Sequence, residues 1–136
     1  MNARILIVAL VLAAAPAFAA EPMGIPPGYR GMAMPLPAHQ LRYIEVGDRV
    51  DILVTFGAPM SDKKVLEQVT ATIMQNVYVL AVDRTLGVIQ FAFNPNESQY
   101  AALFAANEKT LWLTKRAKDD KEMHPMEMAS ARKLFR

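Results

Sequence analysis

The sequence predicts a small α+β domain, rich in β-structure, with one helix packed on a twisted sheet or open barrel. Three observations predict it. Residues Arg49 to Phe56 alternate, with Val50, Ile52 and Val54 on one side and Arg49, Asp51 and Thr55 mostly on the other, the period of a half-buried strand. Residues Val77 to Val82 are apolar on both faces and return through Asp83–Gly87 into Val88–Phe93, which reads as an inner hairpin. Asn94-Pro95-Asn96-Glu97 is a helix start: Asn94 caps, Pro95 suits the first turn, and Glu97 stands where a capping box takes an acid.

In chain order, Arg4 precedes an unbroken apolar run from Ile5 to Ala15, then Pro16 and Ala17-Phe18-Ala19. This is the layout of a secretory signal peptide over residues 1–19, cleaved after Ala19. The run falls short of the roughly 20 residues that a permanent span needs, so an uncleaved anchor is the rival reading. With no cysteine in the chain, lipoprotein processing is excluded. Residues 20–40 hold Pro22, Pro26, Pro27, Pro35 and Pro37 with three glycines. That density predicts extended and turn-like backbone. A first strand fits Gly31–Leu36, ended or held at a sheet edge by Pro35.

Val46-Gly47-Asp48 is a turn feeding the Arg49 strand, and Gly57-Ala58-Pro59-Met60-Ser61-Asp62 reads as the loop after it. Val69 to Val82, rich in Val, Thr, Ile and Tyr, is the next strand. Gly87 falls where the connection to Val88 needs a positive φ. The helix should reach Asn107, with Tyr100, Leu103 and Phe104 at helical spacing, and Thr110–Thr114 closes the sheet. Polarity then rises. Residues 121–136 are predicted to form a poorly ordered polar tail with a short helix near Ala129–Phe135.

Length and charge bound the function. Residues 20–136 suffice for one domain. Without cysteine, an exported chain must hold its core by packing alone. Against 15 Lys+Arg stand 13 Asp+Glu, and Arg4 leaves with the signal. Lys115, Arg116, Lys118, Lys121, Arg132, Lys133 and Arg136 make the C-terminal end basic, but Asp119, Asp120, Glu122 and Glu127 interrupt it. A mixed-sign run of this kind reads as a solvated face. Together with export, it argues against a nucleic-acid partner.

Catalysis finds no pattern. His39 and His124 are the only histidines, neither in a His-Glu-Xaa-Xaa-His motif, and Ser61, Ser98 and Ser130 lack a nucleophile elbow. No cofactor motif is present, and Trp112 and Tyr100 read as core or half-buried packing. Two segments remain as candidate sites. In Gly47-Asp48-Arg49-Val50-Asp51, Gly47 permits a tight turn, Asp48 bonds back to turn amides, and Arg49 and Asp51 share a strand face. The block is either a pinned structural turn or a partner-binding edge, and the expected contact surface takes in this turn and the exposed edge around Arg30 to Leu36. In Met123-His124-Pro125-Met126-Glu127-Met128, three thioethers and an imidazole suit Cu(I). The alternative function is therefore a periplasmic Cu(I) carrier using Met123, His124, Met126 and Met128. Its rival is a mobile Met-rich tail.

The order of these pieces resembles the CpaB/RcpC family of Flp (Tad) pilus assembly proteins. Pro27-Gly28-Tyr29-Arg30-Gly31-Met32-Ala33 is similar to that family's Pro-Gly-Met-Arg-Ala segment, and Val46-Gly47-Asp48-Arg49-Val50-Asp51-Ile52 to its Pro-Gly-Asp-Arg-Val-Asp-Val block. Thr72–Val82 resembles its Leu-Leu-Gln-Asn-Val-Xaa-Val-Leu-Ala strand, Val88–Phe104 its strand and helix, and Leu111–Asp119 its closing strand and turn. The likeness covers residues 26–120. It implies a β-clip (SAF-like) sheet and a non-enzymatic periplasmic component of the pilus machine. The partners implied are other pilus or secretion components, above all an outer-membrane secretin, with cell-wall glycan as a further ligand class by fold analogy. Set against the family pattern, the sequence reads as lacking the first half of the SAF module, with an export signal expected in place of a membrane anchor.

Overall fold

The computed structural model describes residues 22–59, 65–107 and 109–135. The signal-peptide reading of residues 1–19 lies outside them. The elements are β1 (Arg30–Pro35), α1 (Ala38–Leu41), β2 (Arg49–Pro59), β3 (Leu66–Asp83), β4 (Val88–Phe93), α2 (Pro95–Ala106), β5 (Thr110–Lys115), β6 (Ala129–Ser130) and α3 (Ala131–Leu134). Among the described residues the strands form one antiparallel sheet in the order β1-β4-β3-β2-β5, and β6 pairs with β3. The sheet is open, its path ending on β1 and β5. Of the two architectures the alternation allowed, sheet or open barrel, the chain adopts the sheet.

The core lies on the face of Val50, Ile52, Met74, Val77, Val79, Ile89, Phe91 and Phe93, and it is closed by Met34, Leu36, Leu41, Ile44 and Ala101. Phe91 and Phe93 sit with ring centroids 5.5 Å apart. Each buried side chain of this size contributes about 1.5–3 kcal/mol of transfer free energy, which is how a chain without disulfides holds together. The opposite face carries Arg49, Asp51, Tyr78 and Gly31. A Cβ on Gly31 would come within 2.8 Å of the Ile25 side chain, so the N-terminal segment leans on this second face.

The hairpin and helix form as their local chemistry dictates. Gly87 has φ +67°, a left-handed conformation open to glycine at little cost. In α2 the Asn94 side chain accepts from the Glu97 amide at 2.9 Å, and Glu97 accepts from the Asn94 amide at 2.8 Å. The capping box is complete.

Four sequence expectations change. The loop at Gly57–Asp62 begins later, because Gly57, Ala58 and Pro59 pair with Gln68, Glu67 and Leu66 and extend the ladder; residues 60–62 lie outside the described region. The proline-rich segment includes the short helix α1. Tyr100 and Leu103 do not pack inward: they are 60% and 55% exposed, and α2 rests on the sheet through buried Ala101. Trp112 is 44% exposed, its indole Nε1 donating to Thr55 Oγ1 at 3.0 Å.

The tail has fixed partners along β3. The Gln75 side chain donates to the His124 carbonyl at 2.7 Å and accepts from the His124 amide at 3.0 Å. Further on, Ala129 and Ser130 pair with Thr70 and Val69, and the helix near Ala129–Phe135 is the single turn α3.

Candidate functional site

Glu45-Val46-Gly47-Asp48 is a tight turn closed by the Asp48 amide donating to the Glu45 carbonyl at 3.1 Å. Gly47 occupies its third position with φ +89°, the geometry that calls for glycine there. The Asp48 carboxylate accepts from the Glu45 amide at 2.7 Å and meets Lys115 at 2.7 Å. The turn is stitched to β3 by Gly47 donating to the Val79 carbonyl and Val79 donating to the Asp48 carbonyl. The turn is thus pinned to β3 through its backbone and to β5 through Lys115.

Arg49 and Asp51 then converge on one residue of β3. Between Val50 and Ile52 the β2–β3 register slips, and Asn76, in the extra stretch, takes φ +61°. Such a bulge leaves a residue out of the ladder, and asparagine tolerates the left-handed backbone better than most. Asp51 Oδ1 accepts from the Asn76 amide at 2.8 Å. The Arg49 guanidinium donates to Asn76 Oδ1 at 2.7 Å and lies 3.6 Å from the centroid of the Tyr78 ring, a cation–π contact.

The same Asp51 oxygen accepts from Arg116 at 2.8 Å. Arg116 is the centre of the cluster. Its side chain is 3% exposed, and it also donates to Asp120 Oδ1 at 3.0 Å and to the carbonyls of Asp120 and Glu122. The basic C-terminal run is thus not uniformly solvated. Arg116 is withdrawn because a buried guanidinium is stable only when its donors are met by charge and carbonyls, as they are here. Hydrogen bonding to Asp51, foremost, raises the Arg116 pKa, and Asp120 is held below the usual carboxylate range by the Glu122 amide and then by Arg116.

Sequence reasoning missed Asn76, Tyr78, Lys115 and Arg116, the partners of residues it had singled out, and Asp120, which holds Arg116 in turn. It also missed Gln40. From α1, the Gln40 side chain donates to the Leu111 carbonyl at 2.8 Å and accepts from the Leu113 amide at 2.9 Å. This is what a neighbouring strand would do, and it caps the β5 edge.

Arg30 stands apart from the cluster. It heads β1, opposite Phe93, three strands from Arg49, or about 14 Å at ordinary strand spacing. Its guanidinium donates to the Tyr29 carbonyl at 3.0 Å. The edge from Arg30 to Leu36 is exposed as backbone, whereas its Met34 and Leu36 side chains belong to the core. Met123, His124, Met126 and Met128 lie on an irregular exposed stretch, with His124 held through its backbone by Gln75. On α2, Tyr100 and Leu103 with Asn96 and Gln99 line a surface depression.

An open antiparallel sheet with one long capped helix, its conspicuous charges tied to one another, defines a small β-rich α+β domain. Residues 23–127, more than half of the chain, match the family model described as Flp pilus assembly protein RcpC/CpaB. The chain belongs to that family and is a Flp pilus assembly component. Comparison with curated proteins and with solved structures gives no match.

Proposed function

We propose that this domain works in the periplasm as a non-enzymatic, protein-binding scaffold of the Flp pilus machine, with the outer-membrane secretin as its partner. One observation carries the reading. The charged residues of the Gly47–Asp51 block are occupied within the fold, whereas α2 holds Tyr100 and Leu103 out in solvent. Exposed aromatic and aliphatic side chains around a depression are the usual anchors of a protein contact. The turn block then supports the contact surface by fixing the sheet and does not touch the partner itself. Periplasmic placement rests on the signal-like N-terminus and on the family's role.

A photo-crosslinking residue at position 103 tests this in the cell envelope. Capture of the secretin from position 103, with none from position 86 on the β3–β4 turn, supports the proposal. Equal capture from both positions, or none from 103, refutes it.

A further inference from the structure

Among the described residues two edges of the sheet carry partners from outside the main ladder. Gln40 caps β5. The C-terminal segment runs along the part of β3 that lies beyond β4, through the Gln75–His124 pair and β6. The β1 edge carries none among the described residues. The Leu36 amide donates to the Gly87 carbonyl at 2.9 Å, so by alternation Met34, Met32 and Arg30 also face β4. Gly31 and Ala33 therefore point their N–H and C=O groups outward, and both residues are exposed. An open strand edge is a template for another strand.

We infer that this edge pairs with the β1 edge of a second copy of the chain, antiparallel about a two-fold axis at Met32. That register sets Gly31 opposite Ala33 of the second copy, and Ala33 opposite its Gly31. Each pair exchanges two hydrogen bonds, so the N–H and C=O of Gly31 and of Ala33 are all satisfied, and only the Pro35 carbonyl, at the outer end of the edge, keeps facing solvent. The register also ends cleanly. Pro35, which has no N–H, falls opposite Tyr29 of the second copy, whose N–H already donates to the Pro26 carbonyl. Arg30 falls opposite Met34, so no like charges oppose each other. Neither residue of that pair can donate to the other, so the ladder ends at the same point on both strands, and the four bonds are centred on the two-fold axis. The contact is isologous, as two-fold interfaces are, and it makes one continuous sheet across both copies.

The chain has no cysteine, so single-cysteine variants report cleanly. Residue 32 meets its own symmetry mate as a non-hydrogen-bonded pair, with Cα atoms about 4.5 Å apart, within disulfide reach. Residue 30 is displaced by four residues from its mate, about 13 Å along the strand, beyond that reach. Met32→Cys should therefore form a disulfide-linked dimer on mild oxidation and Arg30→Cys should not. Sedimentation of the unmodified chain should show a concentration-dependent dimer. Ala33→Pro removes two of the four bonds and spares the β1–β4 ladder, so it should shift that equilibrium at least tenfold toward monomer. Three results would overturn the inference: a chain monomeric up to about 1 mM, equal oxidation of the two cysteine variants, or a folded Ala33→Pro variant that dimerises as before. Secretin capture from position 103 is read separately, so either proposal can fail without the other.

Discussion

Asp51 and Arg116 lie 65 residues apart in sequence and 2.8 Å apart in the fold, and the contact joins β2 to the turn after β5. The same carboxylate oxygen holds the Asn76 amide. One side chain thus ties together three consecutive strands of the sheet. Removing either partner strands a group in a low-dielectric setting, whereas removing both leaves less unsatisfied. Asp51→Ala and Arg116→Met should each lower the melting temperature, and the double variant should lose less than the sum of the two. A double-mutant cycle by thermal denaturation checks this. Additive losses would show that the two groups do not act as a pair.

Asn76 is held in a left-handed backbone by Asp51 and Arg49. Asn76→Ala must keep φ near +61° with a Cβ that disfavours it, and it also loses the Oδ1 acceptor. The expected cost is about 1–2 kcal/mol. Asn76→Gly relieves the backbone and loses only the acceptor, so it should fall between wild type and Asn76→Ala in urea unfolding.

Gln40 stands in for a strand beside β5. Gln40→Ala frees the Leu111 carbonyl and the Leu113 amide. It should cost about 1–2 kcal/mol and leave a second open edge prone to self-association. Denaturant unfolding gives the first effect and light scattering the second. Gln40→Glu keeps the acceptor for Leu113 and should be intermediate.

The pH dependence follows from Asp120. Its pKa is lowered in the folded state, first by the Glu122 amide and then by Arg116, so the unfolded chain binds its proton more readily. The stability it confers is fully present above the ordinary aspartate value, near about 3.9, and is lost as pH falls through the lower folded value. Unfolding midpoints measured downward from pH 7 should drop in that acid range. The drop should be smaller in Asp120→Asn, a variant that starts from a lower midpoint at pH 7.

What could be read from the sequence depended on how far apart the partners lie. Asn94 and Glu97, Gly87, and Gly47 with Asp48 act within four residues, and the sequence exposes such chemistry directly. The alternation of β2 and the apolar run of β3 placed the central hairpin for the same reason. Arg116, Asn76 and Gln40 were not legible as site residues, because each draws its meaning from a strand 25 to 73 positions away. Helical spacing showed that Tyr100 and Leu103 lie on α2, but not which side of it the sheet would cover. Ala101, the small residue, turned out to be the one buried there. The tail read as unstructured because its composition is polar, yet Gln75 and the β3 edge supply backbone partners that composition does not show.

The most direct test of the scaffold role is the affinity of the purified domain for the secretin, measured with Tyr100→Asp and Leu103→Asp beside the unaltered chain. Circular dichroism should show both variants folded, with unchanged melting temperature, since neither side chain is in the core. Binding should weaken at least tenfold in each, about 1.4 kcal/mol, and pili should be lost from cells carrying either one. Undiminished binding by both folded variants, with normal pili, would contradict the account.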